Sequence, residues 1–303
     1  MGNFQIRVVD KVVISCYKLH MIKVLGILLS LVLFIGATPT LAIPNLSNAA
    51  LKTSGTQRTL ILPPQAEISP VISLGSGIDP QTGKKVEGLA IIHYKNGFSH
   101  KPNHGGGNNP GSSCYTYISN GAKWKTVEQW VTNTNNTRGL PDYFILANLI
   151  ANISKWEDAT DGNVTNGIGL DVLGQGASTS ATLVADTVSP DGQNEVYFAD
   201  VSSPGAIAVT IVWGIFGGPP FARELVEWDQ VYDDIDFDWS SSGEANKMDF
   251  ENIATHELGH SFGMGDLYET VCSQETMYGF SATVETNKRD LNTGDITGIN
   301  KLY

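Results

Sequence analysis

Residues 255–266 read THELGHSFGMGD, and this stretch contains the most specific pattern in the chain. His256 and His260 are four residues apart, so on a helix both imidazoles project from the same face. Two neutral imidazoles with this spacing can bind one zinc ion, and Glu257 lies beside the first of them without being a ligand itself. The stretch therefore predicts a helix that carries a zinc site on one face.

The residues that follow this pair predict where the helix ends. Gly263 lies three residues after His260, and a glycine disfavours a helix interior by about 1 kcal/mol relative to alanine. The chain can break there and turn back toward the metal. Asp266, three residues further on, is then the predicted third zinc ligand.

The whole pattern, H-E-x-x-H-x-x-G-x-x-D, resembles the metzincin zinc motif. The last ligand of that motif is usually histidine, and this sequence departs from it by having aspartate there. Met277, within ETMYG at 275–279, resembles the methionine of the turn that metzincins place beneath the metal. The resemblance extends over residues 114–303, whose beginning and end look like the first strand and last helix of a matrixin-type domain. It implies a zinc-dependent endopeptidase in which Glu257 activates a water molecule at the metal.

Two other readings of the zinc site stay open. A gluzincin-type peptidase would take a more distant glutamate, Glu275 or Glu285, as its third ligand. An exported surface protein could instead keep the zinc for structure alone. The intact Glu257 argues against the second reading, because structural zinc sites normally close the fourth coordination position with a protein ligand.

Hydrophobic patterns along the chain predict an α/β (α+β) fold. The clearest helix spans residues 141–157, with Phe144, Ala147, Ile150, Ala151 and Ile153 as its apolar face. The predicted strands cover residues 86–94, 124–132, 195–201, 206–216 and 227–239. The metzincin resemblance implies a twisted mixed sheet with a long first helix, an active-site helix and a C-terminal helix.

A peptidase of this kind binds extended polypeptide along a sheet edge, where backbone groups are free to pair. The resemblance implies such an edge strand before the zinc helix, and the run AIAVTIVWG at 206–214 is our candidate. The alternative is a central strand, because the apolar residues of this run hardly alternate with polar ones.

The amino terminus has the features of a secretory signal. Lys23 precedes an apolar run, Val24 to Ile35, and small residues follow up to residue 42. We therefore expect residues 1–42 to be the signal region and the protein to be secreted, with Met21 as an alternative start. An uncleaved segment would instead anchor the protein at the cell surface.

Composition excludes several partners. The 303-residue chain has a formal net charge of −12 and a pI near 4.8, whereas nucleic-acid binding needs a basic face. A polypeptide substrate and a monomeric protein are expected, with membrane contact only through an uncleaved signal segment.

Residues 43–113 are expected to form an N-terminal segment, a candidate pro-region, that ends in a Gly/Asn/Pro-rich linker at 99–113. The zinc-peptidase domain is then 114–303. Three histidines, His93, His100 and His104, lie in or near the linker, and a solvated linker is favoured over a metal site for them.

Two smaller expectations concern the predicted domain. Cys114 and Cys272 are expected to form a disulfide, since export places them in an oxidising compartment. Five acidic residues in 227–239 could hold structural calcium, although a solvated acidic face is the favoured interpretation. They are Asp229, Asp233, Asp234, Asp236 and Asp238.

Overall fold

A computed structural model describes residues 58–97 and 113–303 of the chain. Within these residues nine strands form one mixed sheet, a further pair of short strands lies outside it, and there are three α-helices. The predicted α/β fold class is confirmed. The signal region at 1–42, most of the 99–113 linker, His100 and His104 lie outside the described residues.

The elements are named here in chain order. The strands are β1 (Thr59–Leu60), β2 (Val71–Ile78), β3 (Lys85–Lys95), β4 (Glu128–Asn133), β5 (Leu173–Ser178), β6 (Asn194–Val201), β7 (Ala206–Ile215), β8 (Glu224–Asp233), β9 (Trp239–Ser240), β10 (Met248–Asp249) and β11 (Phe280–Ser281). The helices are α1 (Asp142–Asp158), α2 (Phe250–Ser261) and α3 (Thr293–Leu302).

The main sheet has the strand order β11-β3-β7-β8-β6-β4-β5, with β1 paired to β6 and β2 paired to β3. Strands β4, β5, β6 and β8 run parallel to one another, and β7 is antiparallel to both of its neighbours. Three predicted strands, at 86–94, 195–201 and 206–216, agree with β3, β6 and β7 to within one residue at each end.

Strand β7 lies inside the sheet, so the expectation that it forms an edge is wrong. It pairs with β8 on one side and with β3 on the other, from Glu87 opposite Gly214 to Tyr94 opposite Ala206. Every residue from Ala206 to Gly214 is buried, which explains why the run lacks alternation. A strand covered on both faces and both edges selects apolar side chains throughout.

Residues on both sides of the 99–113 linker contribute to this one sheet. Strands β2 and β3 precede the linker, and β3 lies between β7 and β2. The described residues belong to one compact unit. Whether residues 43–113 are removed as a pro-segment stays a prediction.

Helix α1 begins at Asp142 after Pro141, as expected, but it buries a different face from the predicted one. Its buried side chains include Ile145 and Leu149, whereas Ile150, a member of the predicted face, is 45% exposed. Two buried asparagines explain the shift, because Asn152 Nδ2 donates to Asn148 Oδ1 at 3.0 Å within the packed face. A pattern of apolar residues alone could not reveal a face that contains two paired amides.

A disulfide and a helix cap stabilise the carboxyl-terminal part of the chain. Cys114 and Cys272 form the expected disulfide, with their Cα atoms 5.3 Å apart. Helix α3 starts with a capping box between Asn292 and Asp295. None of the described helices is long and apolar enough to cross a membrane.

Candidate metal centre

Helix α2 is held firmly at its start and along its side. The Asp249 carboxylate accepts the Asn252 amide hydrogen at 3.0 Å as the N-cap and also accepts from Arg289 Nε at 2.8 Å. The Trp156 indole of α1 donates to the Thr255 carbonyl at 2.8 Å. These contacts fix the rotation of α2 and therefore the direction in which its histidines point.

A close contact beneath α2 explains Gly259. A Cβ atom at this position would lie 2.2 Å from the Met277 sulfur, so only glycine allows the methionine to approach the helix. Met277 is fully buried, and its amide donates to Asp295 Oδ1 at 3.1 Å. This packing is what the predicted methionine turn requires.

The chain turns at Gly263, where the sequence places the end of the helix. Gly263 has φ of +100°, a conformation that favours glycine, and its amide donates to the His260 carbonyl at 2.8 Å. The turn brings Asp266 back to the histidines. Tyr268 then donates its hydroxyl hydrogen to Asp266 Oδ2 at 2.7 Å, which leaves the other carboxylate oxygen facing the two imidazoles.

The three predicted ligands converge on one point. Asp266 Oδ1 lies 3.2 Å from His256 Nε2 and 3.3 Å from His260 Nε2. The other ring nitrogens, both Nδ1, lie 2.7 Å from the Thr276 carbonyl oxygen and 2.9 Å from that of Met264. A carbonyl can only accept a hydrogen bond, so each Nδ1 carries a proton and each Nε2 is the ring atom left to bind a metal.

The set fits a zinc ion. The three facing atoms are buried and have no hydrogen-bond partner, although buried polar atoms are normally paired. Tetrahedral zinc with bonds of about 2.0 Å places its ligand atoms roughly 3.3 Å apart, close to the observed separations. Burial alone would raise the pKa of Asp266, but the charge of His260 and contacts with both imidazoles hold it well below its usual range.

The two alternative ligands are occupied elsewhere. Glu275 Oε2 accepts the backbone hydrogens of Gly294 at 2.9 Å and Asp295 at 3.3 Å, at the start of α3. Glu285 pairs with the buried Lys288 ammonium at 2.9 Å. In the described part of the chain neither joins a group with His256 and His260, so the geometry favours Asp266.

Glu257 is fully buried beside the ligands, and both of its oxygens have partners. Oε1 lies 3.0 Å from His93 Nδ1, and Oε2 accepts the Thr210 hydroxyl hydrogen at 2.6 Å. Burial alone would raise the pKa of Glu257, but the hydrogen bond to His93 and the neighbouring histidine charges lower it. The carboxylate is therefore ionised at neutral pH.

His93 is a site residue whose role the sequence analysis missed. The predicted strand at 86–94 contains it, but it was grouped with the linker histidines as solvated. It lies on β3, it is fully buried, and its ring centroid lies 3.9 Å from that of His256. Burial, and then the charge of His256, lowers the pKa of His93 to about 3. The signal was present in the run AIIHY, where a histidine follows three apolar residues of a strand. Thr210, on β7, gave no such signal.

The five acidic residues proposed for calcium do not come together. Asp233 accepts the backbone hydrogens of Ile235 and Asp236 at 2.8 and 2.9 Å, and Asp234 accepts that of Thr137 at 2.6 Å. Among the described residues these aspartates make no common metal-binding group. Asp233 thus fixes the turn after β8, whereas Asp229 accepts backbone hydrogens of Asp186 and Glu195.

Comparison with known proteins found a family model and a curated relative that match part of this chain. Residues 219–303, which include α2, the glycine turn and α3, match the family model of the matrixins. The chain is also 39% identical over 70 residues to metalloendoproteinase 1-MMP of Arabidopsis thaliana, a match that covers 23% of this chain and 18% of that protein. The chain thus spans less than a fifth of the length of this curated relative. Residues 219–303 are thus similar to the matrixins, and together with the fold these matches support a matrixin-like metzincin domain.

Proposed function

We propose that the protein is a secreted, monomeric, zinc-dependent endopeptidase that hydrolyses polypeptides. The observation that carries this proposal is the set of three buried, unpartnered atoms on His256, His260 and Asp266, with the Glu257 carboxylate beside them. The signal-like sequence at 1–42 supports secretion. Structural zinc sites normally have four protein ligands, whereas here three candidate ligands converge and the Glu257 carboxylate beside them is suited to proton transfer.

A zinc ion in this site would supply Lewis acidity, which polarises the scissile carbonyl and acidifies water. Residues of the chain carry out the remaining steps. Glu257, ionised because its pKa is lowered, takes a proton from the attacking water and delivers it to the leaving amine. The Thr276 and Met264 carbonyls keep both imidazoles in the orientation that binding requires.

The described arrangement is closed to substrate. His256, Glu257 and His260 are fully buried, and Asp266 is 8% exposed. Strand β3 occupies the edge of β7 along which an extended peptide could pair, and His93 of that strand occupies one oxygen of Glu257. Hydrolysis therefore requires this strand to move.

We accordingly propose that residues 43–113 act as a pro-segment whose strand β3 keeps the site closed. Displacing β3 would expose the backbone groups of β7 for an extended polypeptide and release Glu257 Oε1 for water. The Gly/Asn/Pro-rich sequence at 99–113 is a suitable place for the activating cleavage.

The same burial favours a second candidate, a non-catalytic protein that keeps zinc for structure. The four residues from Ile91 to Tyr94 are buried, so removing β3 would expose a large apolar area. In that case β3 is a permanent part of the sheet and His93 only fixes the position of Glu257.

The deciding experiment is proteolysis of a denatured casein-type substrate by the full chain. A specific-protease site inserted at Gly105–Gly107 allows assays before and after cleavage, with zinc, with a chelator and after zinc is restored. We expect hydrolysis that increases after cleavage, disappears with the chelator and returns with zinc. One tightly bound zinc without hydrolysis in either form would support the structural candidate instead.

His93→Ala tests the closing role directly in the uncut chain. We expect it to increase hydrolysis, because it frees Glu257 Oε1 and removes a contact that holds β3 over the site. The control is Ile92→Val, which loosens the same strand without touching Glu257 and should change hydrolysis little. Lower activity in His93→Ala, with the Ile92→Val variant unchanged, would instead make His93 a residue that positions the base.

A further inference from the structure

The chain contains N-x-S/T triplets, the acceptor sequence for N-linked glycans, and the structure distinguishes between them. Triplets begin at Asn135, Asn152 and Asn163 in the described residues, whereas the one at Asn45 lies outside them. A glycan is bulky and polar, so its asparagine must lie at the surface of the folded protein. Because the acceptor sequence also requires a hydroxyl residue two places later, the contacts of that hydroxyl separate one triplet from another.

The triplet at Asn163 has both of its polar side chains at the surface and in contact with each other. Thr165 donates its hydroxyl hydrogen to Asn163 Oδ1 at 3.0 Å, and the Thr165 amide donates to the same oxygen at 3.0 Å. This arrangement is an Asx-turn, which folds the three residues into one compact unit. Within the described residues Asn163 Nδ2 makes no hydrogen bond, so the atom that would carry the sugar is available.

The other two described triplets lack this arrangement. Asn152 is fully buried in α1, where its Nδ2 donates to Asn148 Oδ1 at 3.0 Å, so a glycan there would prevent the helix from packing. In the triplet that begins at Asn135, the Thr137 hydroxyl donates to the Asp234 carbonyl at 2.7 Å instead of to the asparagine.

The turn at Asn163 depends on neighbours in sequence alone. Asp161 Oδ1 accepts the Asn163 amide hydrogen at 2.8 Å, and Asp161 Oδ2 accepts from Asn166 Nδ2, five residues further on, at 2.8 Å. A turn held by such local contacts can form before the sheet does. The contact between Thr137 and Asp234 instead joins residues 97 apart and needs the folded chain. A chain that enters a secretory pathway unfolded therefore presents the triplet at Asn163 already folded into its turn.

The same segment exposes apolar side chains that a glycan could cover. Ile168 is 72% exposed, Leu170 is 51% exposed and Val164 is 37% exposed. Three exposed apolar side chains within seven residues favour association between molecules unless something polar covers them. An oligosaccharide at Asn163 would lie beside them in sequence and shield them from other molecules.

We propose that Asn163 carries an N-linked oligosaccharide that covers the apolar side chains of residues 164–170. The donor is an oligosaccharide joined to a polyprenyl diphosphate. The bond between the anomeric carbon of its first sugar and the diphosphate oxygen breaks, and the electron pair leaves with the diphosphate. That carbon forms a bond with Asn163 Nδ2, which loses one proton to the transferring enzyme. The inference rests on the proposed secretion and does not depend on the peptidase activity.

The test is expression of the full chain in cultured insect cells, followed by mass spectrometry of the protein in the medium. Peptide N-glycosidase in heavy-oxygen water converts each glycosylated asparagine to labelled aspartate. We expect the label at Asn163 and not at Asn152. On heating, the deglycosylated protein should begin to scatter light at a lower temperature than the glycosylated protein, because its apolar side chains are uncovered.

Variants connect the glycan to this one turn. Asn163→Gln and Thr165→Ala should each abolish the loss of mass that the glycosidase causes, whereas Thr165→Ser keeps the hydroxyl and should retain that loss. Asn135→Gln removes the other exposed triplet and is the matched control, which should retain the loss in full. Secreted protein without a label at Asn163 would overturn the inference alone. A chain that stays inside the cells would overturn the proposed secretion and this inference with it.

Discussion

Two groups of titratable side chains differ in how they remain stable without an ion. They are the zinc group of His256, His260 and Asp266, and an acidic group of Asp186, Asp191 and Glu227. The zinc group combines two imidazoles with one carboxylate, so His260 and Asp266 partly neutralise each other. The acidic group has carboxylates only, and burial, followed by the charge of nearby Asp229, raises the pKa of Glu227 to about 10, so Glu227 holds a proton at neutral pH. The mixed group therefore balances its charge between its own members, whereas the all-carboxylate group balances it with a proton.

The largest expected effect is at Glu257, the proposed general base. Glu257→Ala should lower kcat by about 10²–10⁴-fold, the range typical of losing a general base, while zinc content stays at one per chain. Glu251→Ala on the same helix, whose carboxylate pairs with Lys155 at the surface, is the control and should retain activity. Wild-type hydrolysis by the Glu257 variant would contradict the mechanism.

The next prediction concerns the only carboxylate of the zinc group. Asp266→Asn should weaken zinc binding by more than about 100-fold in chelator competition, because it removes the one anionic ligand. Glu275→Gln should leave zinc affinity unchanged, since Glu275 binds backbone hydrogens at the start of α3. If Glu275→Gln weakens zinc binding and Asp266→Asn does not, the third ligand is Glu275.

The acidic group should make the free energy of unfolding depend on pH. The pKa of Glu227 rises on folding from 4.5 to about 10, so the folded state holds this proton more tightly than the unfolded state does. Its stabilising contribution is complete below about pH 4.5 and is lost as pH rises toward about 10. Relative to Glu227→Gln, wild type should lose unfolding free energy across this window in chelator, measured by urea unfolding at several pH values.

A wild-type curve parallel to that of Glu227→Gln in chelator would mean that the carboxylates of the acidic group are solvated and that the comparison between the groups fails.

The smallest effect is expected at the hydroxyl that supports Glu257. Thr210→Val keeps the side-chain shape but removes a hydrogen bond worth about 1 kcal/mol, so kcat/KM should fall by about fivefold. Thr132→Val is the matched control, since the buried Thr132 hydroxyl has no hydrogen-bond partner. If kcat/KM falls more in Thr132→Val than in Thr210→Val, altered packing explains the loss in both variants.

The sequence predicted local features well because their causes are local. The histidine spacing, the glycine turn at Gly263 and the strands that correspond to β3, β6 and β7 follow from residues close together in the chain. The contact between His93 and Glu257 joins residues 164 apart, and β3 pairs with β7 across a similarly long stretch of chain. Nothing in either segment specifies these pairings. The acidic group was missed for the same reason, because Glu227 meets Asp186 and Asp191 only through the sheet.

The disulfide between Cys114 and Cys272 has a consequence for where the site can exist. Cys272 lies in the segment that leads from Asp266 to Met277, and its partner precedes β4 by more than ten residues, so the bond tethers the metal-binding segment to a distant part of the chain. Closing a loop of 158 residues removes a large part of the unfolded chain's freedom, roughly 5 kcal/mol in the entropic model. A thiol reductant would release that tether and lower zinc affinity without any change in the ligands. The redox state of the surroundings would thus determine whether the ligands are held ready for the metal.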